Sequence, residues 1–205
     1  MMKFYMVPGS CSTGIHILLE ELELLFEAHI INIPKGENKQ PEYLSINPKG
    51  TIPSLLIDDG TILTEYQSIA YYLARAHPKA HLLPDNPIAE AKNLELIAYI
   101  VNTLHGQGFA RIFATDNFMC HVTDEQSIKD QGKEIVMNGF KIINQALEQI
   151  NPGLNNFTIT DATLFYVEFW ADKLKIELPD KCQRHYNKML ERSVVKRVLL
   201  EEGYY

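Results

Sequence analysis

Cysteine is scarce: Cys11, Cys120 and Cys182 are the whole complement, odd in number and far apart. This argues against a disulfide framework and suits thiols kept reduced, so a cytoplasmic location is expected. No apolar run reaches the roughly 20 residues of a membrane span, so no membrane partner is expected. The N-terminus enters a strand-like run with no apolar segment behind a basic start, so no signal peptide is expected. Positive charge is also short, 19 Lys and Arg against 26 Asp and Glu, for a net charge of −7. A general nucleic-acid binder needs a basic face, so nucleic acid is not an expected partner, although a local basic pocket is compatible with this balance. No internal repeat or low-complexity tract is present. What is present is a chain of 205 residues, 46% hydrophobic and 22% charged, enough for one large domain or two small ones.

Residues 1–77 mix strand and helix signals. Lys3 to Val7 reads as a buried strand closed by Pro8-Gly9. Ile15, Leu18, Leu19, Leu22, Leu25 and Phe26 then form a helical stripe, with Glu20, Glu21 and Glu23 on the wet side. Ala28 to Ile33 reads as a second strand, and Pro41 to Ile46 as one or two helical turns. Ser54 to Ile57 and Thr61 to Leu63 form a hairpin through Asp58-Asp59-Gly60. A helix from Glu65 to Ala76 follows, with Thr64 and Gln67 at capping-box spacing. Residues 78–87, rich in proline, read as a linker. Residues 88–205 show helical patterns only. The first stripe, from Ile88 to Leu104, meets a predicted kink or break at Gly106-Gln107-Gly108. Thr123 with Gln126 caps a long helix that Asn151-Pro152-Gly153 stops, and Thr158 with Asp161 caps the next. Lys181 to Glu191 and a last helix capped by Ser193 complete the chain. The fold class is α+β in two domains, an α/β layer and then an all-α half.

Chemistry concentrates at Pro8-Gly9-Ser10-Cys11-Ser12, the turn between first strand and first helix. Free backbone N–H groups and the positive end of the macrodipole favour an anion there, so the Cys11 thiol is expected to ionise more easily than a free cysteine. A small residue that merely fills a tight turn is the alternative reading. Cys120-His121 and Cys182 with His185 could supply four metal ligands, but the spacing matches no standard module, and no metal is expected.

The layout and five motifs resemble the glutathione transferases. Pro8-Gly9-Ser10-Cys11-Ser12 resembles the P-G-A-C-S turn of the bacterial beta class, the cysteine type. Asn47-Pro48-Lys49-Gly50-Thr51-Ile52-Pro53 resembles the family's N-P-x-G-x-V-P segment. Leu63-Thr64-Glu65 with Ser68 to Ala74 resembles its L-T-E-S-x-A-I-x-x-Y-L-A helix start. Thr158 to Ala162 matches the capping box of its core helix, and Arg192 to Gly203 looks like its closing helix.

The resemblance implies a thioredoxin-like N-terminal domain, an all-α second domain, a homodimer, and glutathione as co-substrate. It implies that Cys11 contacts or disulfide-bonds the glutathione sulfur. The tyrosine of tyrosine-type relatives would fall at Met6, and Tyr5 points to the other face of its strand. It implies a cis Ile52–Pro53 bond that turns the Ile52 backbone toward the cysteinyl part of glutathione, as an added strand would pair. Glu65 would pair with the γ-glutamyl ammonium, and the helix start at Tyr66, where the family usually has Ser or Gly, would take the carboxylate. Lys35 would meet the glycyl carboxylate. Leu104-His105 resembles a pair that brings an imidazole over the thiol as acid, base or donor. Met6, Phe109, Phe113 and Tyr166 would line a site for a small apolar electrophile.

The function implied is conjugation of the glutathione thiol to apolar electrophiles in detoxification, with thiol-transferase or peroxidase activity through Cys11 beside it. Two alternatives stand. One is a non-catalytic dimeric scaffold on the same fold, favoured by the departures at Tyr66, Thr103 and Gly106. The other is a zeta-like isomerase, which Ser10-Cys11-Ser12 faintly echoes.

Overall fold

The computed structural model describes residues 1–150 and 156–204. Among the described residues the chain divides into two compact units, Met1–Leu83 with Leu190–Tyr205, and Pro84–Met189.

The first unit is built on a sheet of order β2-β1-β3-β4. Strand β1 (Met2–Met6) pairs parallel with β2 (Phe26–Ile30) and antiparallel with β3 (Ser54–Leu56), which pairs antiparallel with β4 (Ile62–Thr64). A parallel pair needs a crossover, and α1 (Ser12–Glu21) supplies it. Helix α2 (Pro41–Leu44) and α3 (Tyr66–Ala76) complete the α/β layer, with Phe4, Ile15, Leu18, Leu55, Ile69 and Leu73 fully buried between helices and sheet. This is the thioredoxin-like α/β fold that the resemblance implies.

Helix α1 stops earlier than its apolar stripe suggests. Glu23 takes the left-handed conformation at φ 53°, and the Leu24 N–H reaches back to the Leu19 carbonyl. That closure leaves Leu25 83% exposed and passes Phe26 to β2. The Thr64–Gln67 capping box does not form. Glu65 itself is the N-cap of α3, at φ 70° and ψ 125°, and the Thr64 hydroxyl accepts a bond from Lys49 instead. The closing helix α9 (Ser193–Glu201), read from sequence as part of the helical half, packs on α1 in the first unit. It buries Val195, Val198 and Leu199, and Arg192 donates to Glu21 at 2.9 and 2.6 Å. Its N-cap is Arg192, not Ser193.

The second unit is helical: α4 (Pro87–Tyr99), a π-helical run (Ile100–Phe109), α5 (Ala110–Phe113), α6 (Glu125–Ile150), α7 (Ile159–Lys173) and most of α8 (Asp180–Glu191). The break predicted at Gly106–Gly108 is absent, because wider turns over ten residues absorb the surplus length and the helix continues. The Thr123–Gln126 cap also fails: Asp124 accepts the His121 N–H at 3.0 Å, and α6 opens at Glu125. The Thr158–Asp161 box forms as read, with the Thr158 N–H donating to Asp161 at 2.7 Å and its hydroxyl accepting from Thr160 N–H at 3.2 Å. The Asn151-Pro152-Gly153 stop lies outside the described residues.

Candidate functional site

The cysteine turn is a compact hydrogen-bonded knot. The Ser12 hydroxyl donates to the Val7 carbonyl at 2.9 Å and accepts the Val7 N–H at 3.1 Å, and Ser10 and Ser12 hydroxyls meet at 2.6 Å. Cys11 sits at the N-cap of α1 but is only 5% exposed. Its thiol points at the Ile52 carbonyl, Sγ to O 3.8 Å. The expected easy ionisation is overturned. Burial pushes the thiol up to about 12, which the nearby Cys11 and Ser12 N–H groups do not offset, and the Glu65 charge adds to the rise. At neutral pH Cys11 is a neutral donor.

The Ile52–Pro53 bond is cis, and its loop is held from behind. The fully buried Asn47 donates from its amide to the Thr51 carbonyl at 2.8 Å and to the Ser54 hydroxyl at 3.2 Å, while its oxygen accepts the Lys49 N–H at 3.1 Å. The Tyr43 hydroxyl donates to the same Thr51 carbonyl at 2.6 Å. Among the described residues the Ile52 N–H has no hydrogen-bond partner. A backbone donor and a thiol therefore stand at one loop, the donor set that an extended peptide carrying a sulfur needs.

Glu65 presents an exposed carboxylate, paired with Lys49 Nζ at 2.5 Å; Lys49 also donates to Thr64 Oγ1 at 2.6 Å. Nothing in the sequence singled out Lys49, which lies 16 residues away from its partner. Both groups are largely solvated, so the pair is worth only about 0–1 kcal/mol. Tyr66 opens α3 with its ring buried, at 4% exposure. Lys35 is exposed in the turn after β2, its backbone N–H donating to Asn32 at 3.1 Å. Met6 is core at 2% exposure, and Tyr5 stacks on His29 at 5.0 Å.

In the second unit His105 lies inside the π-helical run, not at a helix end. Burial pushes it down to about 4, so its imidazole is neutral at neutral pH. Its Nδ1 is 3.4 Å from the Tyr166 hydroxyl and its ring stands edge-on to Trp170 at 4.9 Å. Trp170, which sequence reasoning passed over, is the hub: Phe109, Phe113 and Tyr166 all meet it within 5.3 Å. Of the electrophile-lining set, Phe109 and Tyr166 are fully buried core and Phe113 is 54% exposed. Cys182 donates to the Phe140 carbonyl, and His185 bonds Glu168 at 2.6 Å and Asp161 at 3.2 Å. Cys120 is exposed. These residues do not assemble as a metal quartet; among the described residues the group of possible ligands that does converge is His16, Glu20 and Glu201, where Glu20 is bound by Arg197.

A thioredoxin-like unit with a thiol at its first turn, followed by a helical unit, is the class these elements define. A family model described as "Glutathione S-transferase, N-terminal domain" matches residues 9–76. The glutathione S-transferase GstA of Escherichia coli O157:H7 is 34% identical over 98% of this chain and 99% of its own. A glutathione transferase homologue from Sulfitobacter, solved with bound glutathione, is 27% identical with a TM-score of 0.89, covering 100% of this chain and 99% of that one. A bacterial beta class enzyme from Sphingomonas chungbukensis shares the fold at a TM-score of 0.80 and 23% identity, over 99% of this chain and 100% of that one. The chain belongs to the glutathione S-transferase family.

Proposed function

We propose that this protein is a cysteine-type glutathione transferase of the beta class, conjugating the glutathione thiol to small apolar electrophiles. The observation that carries the reading is the unpaired Ile52 N–H beside the Cys11 thiol at the cis-proline loop. In this reading Ile52 pairs its N–H and C=O with the cysteinyl backbone. Cys11 turns its S–H from the Ile52 carbonyl to the glutathione sulfur and stabilises the thiolate as a donor. Glu65 exchanges Lys49 for the γ-glutamyl ammonium, a substitution the weak exposed pair permits. The α3 start at Tyr66 receives the γ-glutamyl carboxylate and Lys35 the glycyl one. His105 serves as a neutral hydrogen-bonding group. The thiolate then attacks the electrophile and its leaving group departs.

A neutral Cys11 favours conjugation over thiol exchange as the main activity, because exchange through Cys11 needs its thiolate. A homodimer is part of the proposal, and the groove of about 430 Å³ between α4 and α6, edged by Leu96, Tyr99 and the half-exposed Ile142, supports that face as its seat. The test is retention on immobilised glutathione, elution by free glutathione, and turnover of an aryl halide. Retention with turnover is the expected outcome; failure of both overturns the reading in favour of a scaffold.

A further inference from the structure

The turn that carries Cys11 is held by the other end of the chain. Glu202, at the end of α9, has a side chain only 2% exposed. Its Oε2 accepts the Gly9 N–H at 2.7 Å and the Thr13 hydroxyl at 2.6 Å. Its Oε1 is 2.8 Å from His16 Nδ1, and since a carboxylate only accepts, Nδ1–H is the donor. Gly9 precedes Cys11 and Thr13 follows it, so one carboxylate bridges both sides of the thiol. Tyr204 reinforces the hold. Its hydroxyl donates to the Pro8 carbonyl at 3.4 Å, and it lies so close over Gly9 that a Cβ there would come within 1.9 Å of its oxygen.

Such a buried acceptor with three donors aligned on it is a rigid tie, and removing it takes an acceptor from all three at once. Of the other contacts of α9 with α1, Glu201 reaches His16 Nε2 at 3.3 Å, while Arg192 with Glu21 and Arg197 with Glu20 lie away from the turn and attach the helix without touching it. Attachment and aim are therefore separable by mutation.

We propose that Glu202 is the positioning residue of the thiol turn, holding Gly9 and Thr13 so that Cys11 stays packed against the Ile52 carbonyl. The inference rests on the glutathione-transferase reading only for what the aimed thiol does, not for where it is held.

The test uses the full chain with Cys120→Ser, so that the exposed thiol is removed. Alkylation of Cys11 by iodoacetamide at pH 8 is followed by mass spectrometry, alongside the thermal midpoint and the glutathione KM and kcat. Glu202→Ala should speed Cys11 alkylation about tenfold, as the local opening of the turn becomes easier, and raise the glutathione KM more than it lowers kcat. Glu202→Gln should stay within about twofold of the parent, because its amide oxygen accepts from Gly9 and Thr13 and its amide N–H serves the other His16 tautomer. Arg192→Ala should lower the midpoint and leave the alkylation rate within about twofold, since surface attachment alone is lost. Tyr204→Ala uncovers Gly9 with the carboxylate in place and should give a smaller rise, about threefold. The proposal is overturned if Glu202→Ala alkylates at the parent rate, or if Arg192→Ala accelerates it equally at the same loss of midpoint. Should Glu202→Ala not fold, an unchanged rate in Tyr204→Ala overturns it. Alkylation needs no glutathione, so absence of turnover in the parent would sink the functional reading while leaving this test intact.

Discussion

Cys11 is where two effects of opposite sign meet. A helix N-terminus favours a thiolate, but its influence is on the order of 1 kcal/mol. Burial opposes the charge more strongly, and at 5% exposure burial wins and holds the thiol at about 12. At pH 7 the thiol is held protonated. We predict that the rate of Cys11 alkylation, in the Cys120→Ser background, keeps rising with pH to at least about 10. A plateau below pH 8 would mean an activated thiolate and would contradict the neutral-donor role. The site's own residues were legible to an unequal degree. Cys11, Ile52–Pro53 and Glu65 lie in short motifs that the resemblance singles out. Lys49 lies inside the Asn47–Pro53 motif and Glu202 inside the closing-helix match, but neither motif names its partner, and Trp170 has no motif at all. They matter through partners brought near only by folding, as with Glu202 and Gly9, 193 positions apart.

At the scale of elements both starts and stops were read unevenly: the caps expected at Thr64, Thr123 and Ser193 did not form. The Thr158–Asp161 box is a local pattern and was read correctly. Helices α1 and α7 end in left-handed residues that are Glu23 and Lys175, whereas α9 ends at a glycine, Gly203. In all three, the residue after the left-handed one donates back into the last turn, Leu24 to Leu19, Ile176 to Ala171 and Tyr204 to Leu199. Charged residues hide such stops, because composition points to glycine there. The glycines of α6 show the converse. Gly132 and Gly139 lie mid-helix, where glycine costs about 1 kcal/mol relative to alanine. The close approach to the π-helical run and α5 requires them. A Cβ on Gly132 would sit 2.8 Å from the Gly108 carbonyl oxygen and 2.9 Å from Arg111 Cβ; one on Gly139 would sit 2.3 Å from Leu104. Overpacking of this kind costs about 1–3 kcal/mol, and backbone atoms cannot step aside as a side-chain tip can. Gly132→Ala is therefore predicted to destabilise by roughly 1 kcal/mol net, despite its better helix propensity. Chemical denaturation measures this. A more stable variant would show that the helices part without penalty.

For the whole molecule, buried titratable groups set the pH range over which the fold is stable, and each unit contributes a limit. His105 ionises at about 4 folded against about 6.5 unfolded. Between those values the unfolded chain binds the extra proton, so stability is full above pH 6.5 and falls as pH drops through 4, by up to roughly 3 kcal/mol. Cys11 acts on the other side. Its folded value of about 12 stands above the ordinary 9.0, so its contribution is full below pH 9 and is lost as pH rises toward 12. Cys182, raised by burial and by the charge of Glu168, works in the same alkaline direction. His185 is pushed down by burial, but Glu168 and Asp161 outweigh this and raise it to about 10, so its favourable charge is present below about pH 6.5 and fades toward 10. Glu168, raised to about 7 by burial, adds to the decline as pH rises, so the sum places the stability maximum near pH 6; the acid flank rests on His105, and the alkaline one is shared by His185 and Cys182 of the second unit and Cys11 of the first. His105→Phe should flatten the acid flank and leave the alkaline one unchanged; Cys11→Ala should ease only the part of the alkaline flank above about pH 9, since His185 and Cys182 remain. Thermal midpoints from pH 4 to 10.5 separate the two flanks. A His105→Phe variant that still loses stability between pH 6.5 and 4 as steeply as the parent would place the acid limit elsewhere in the fold.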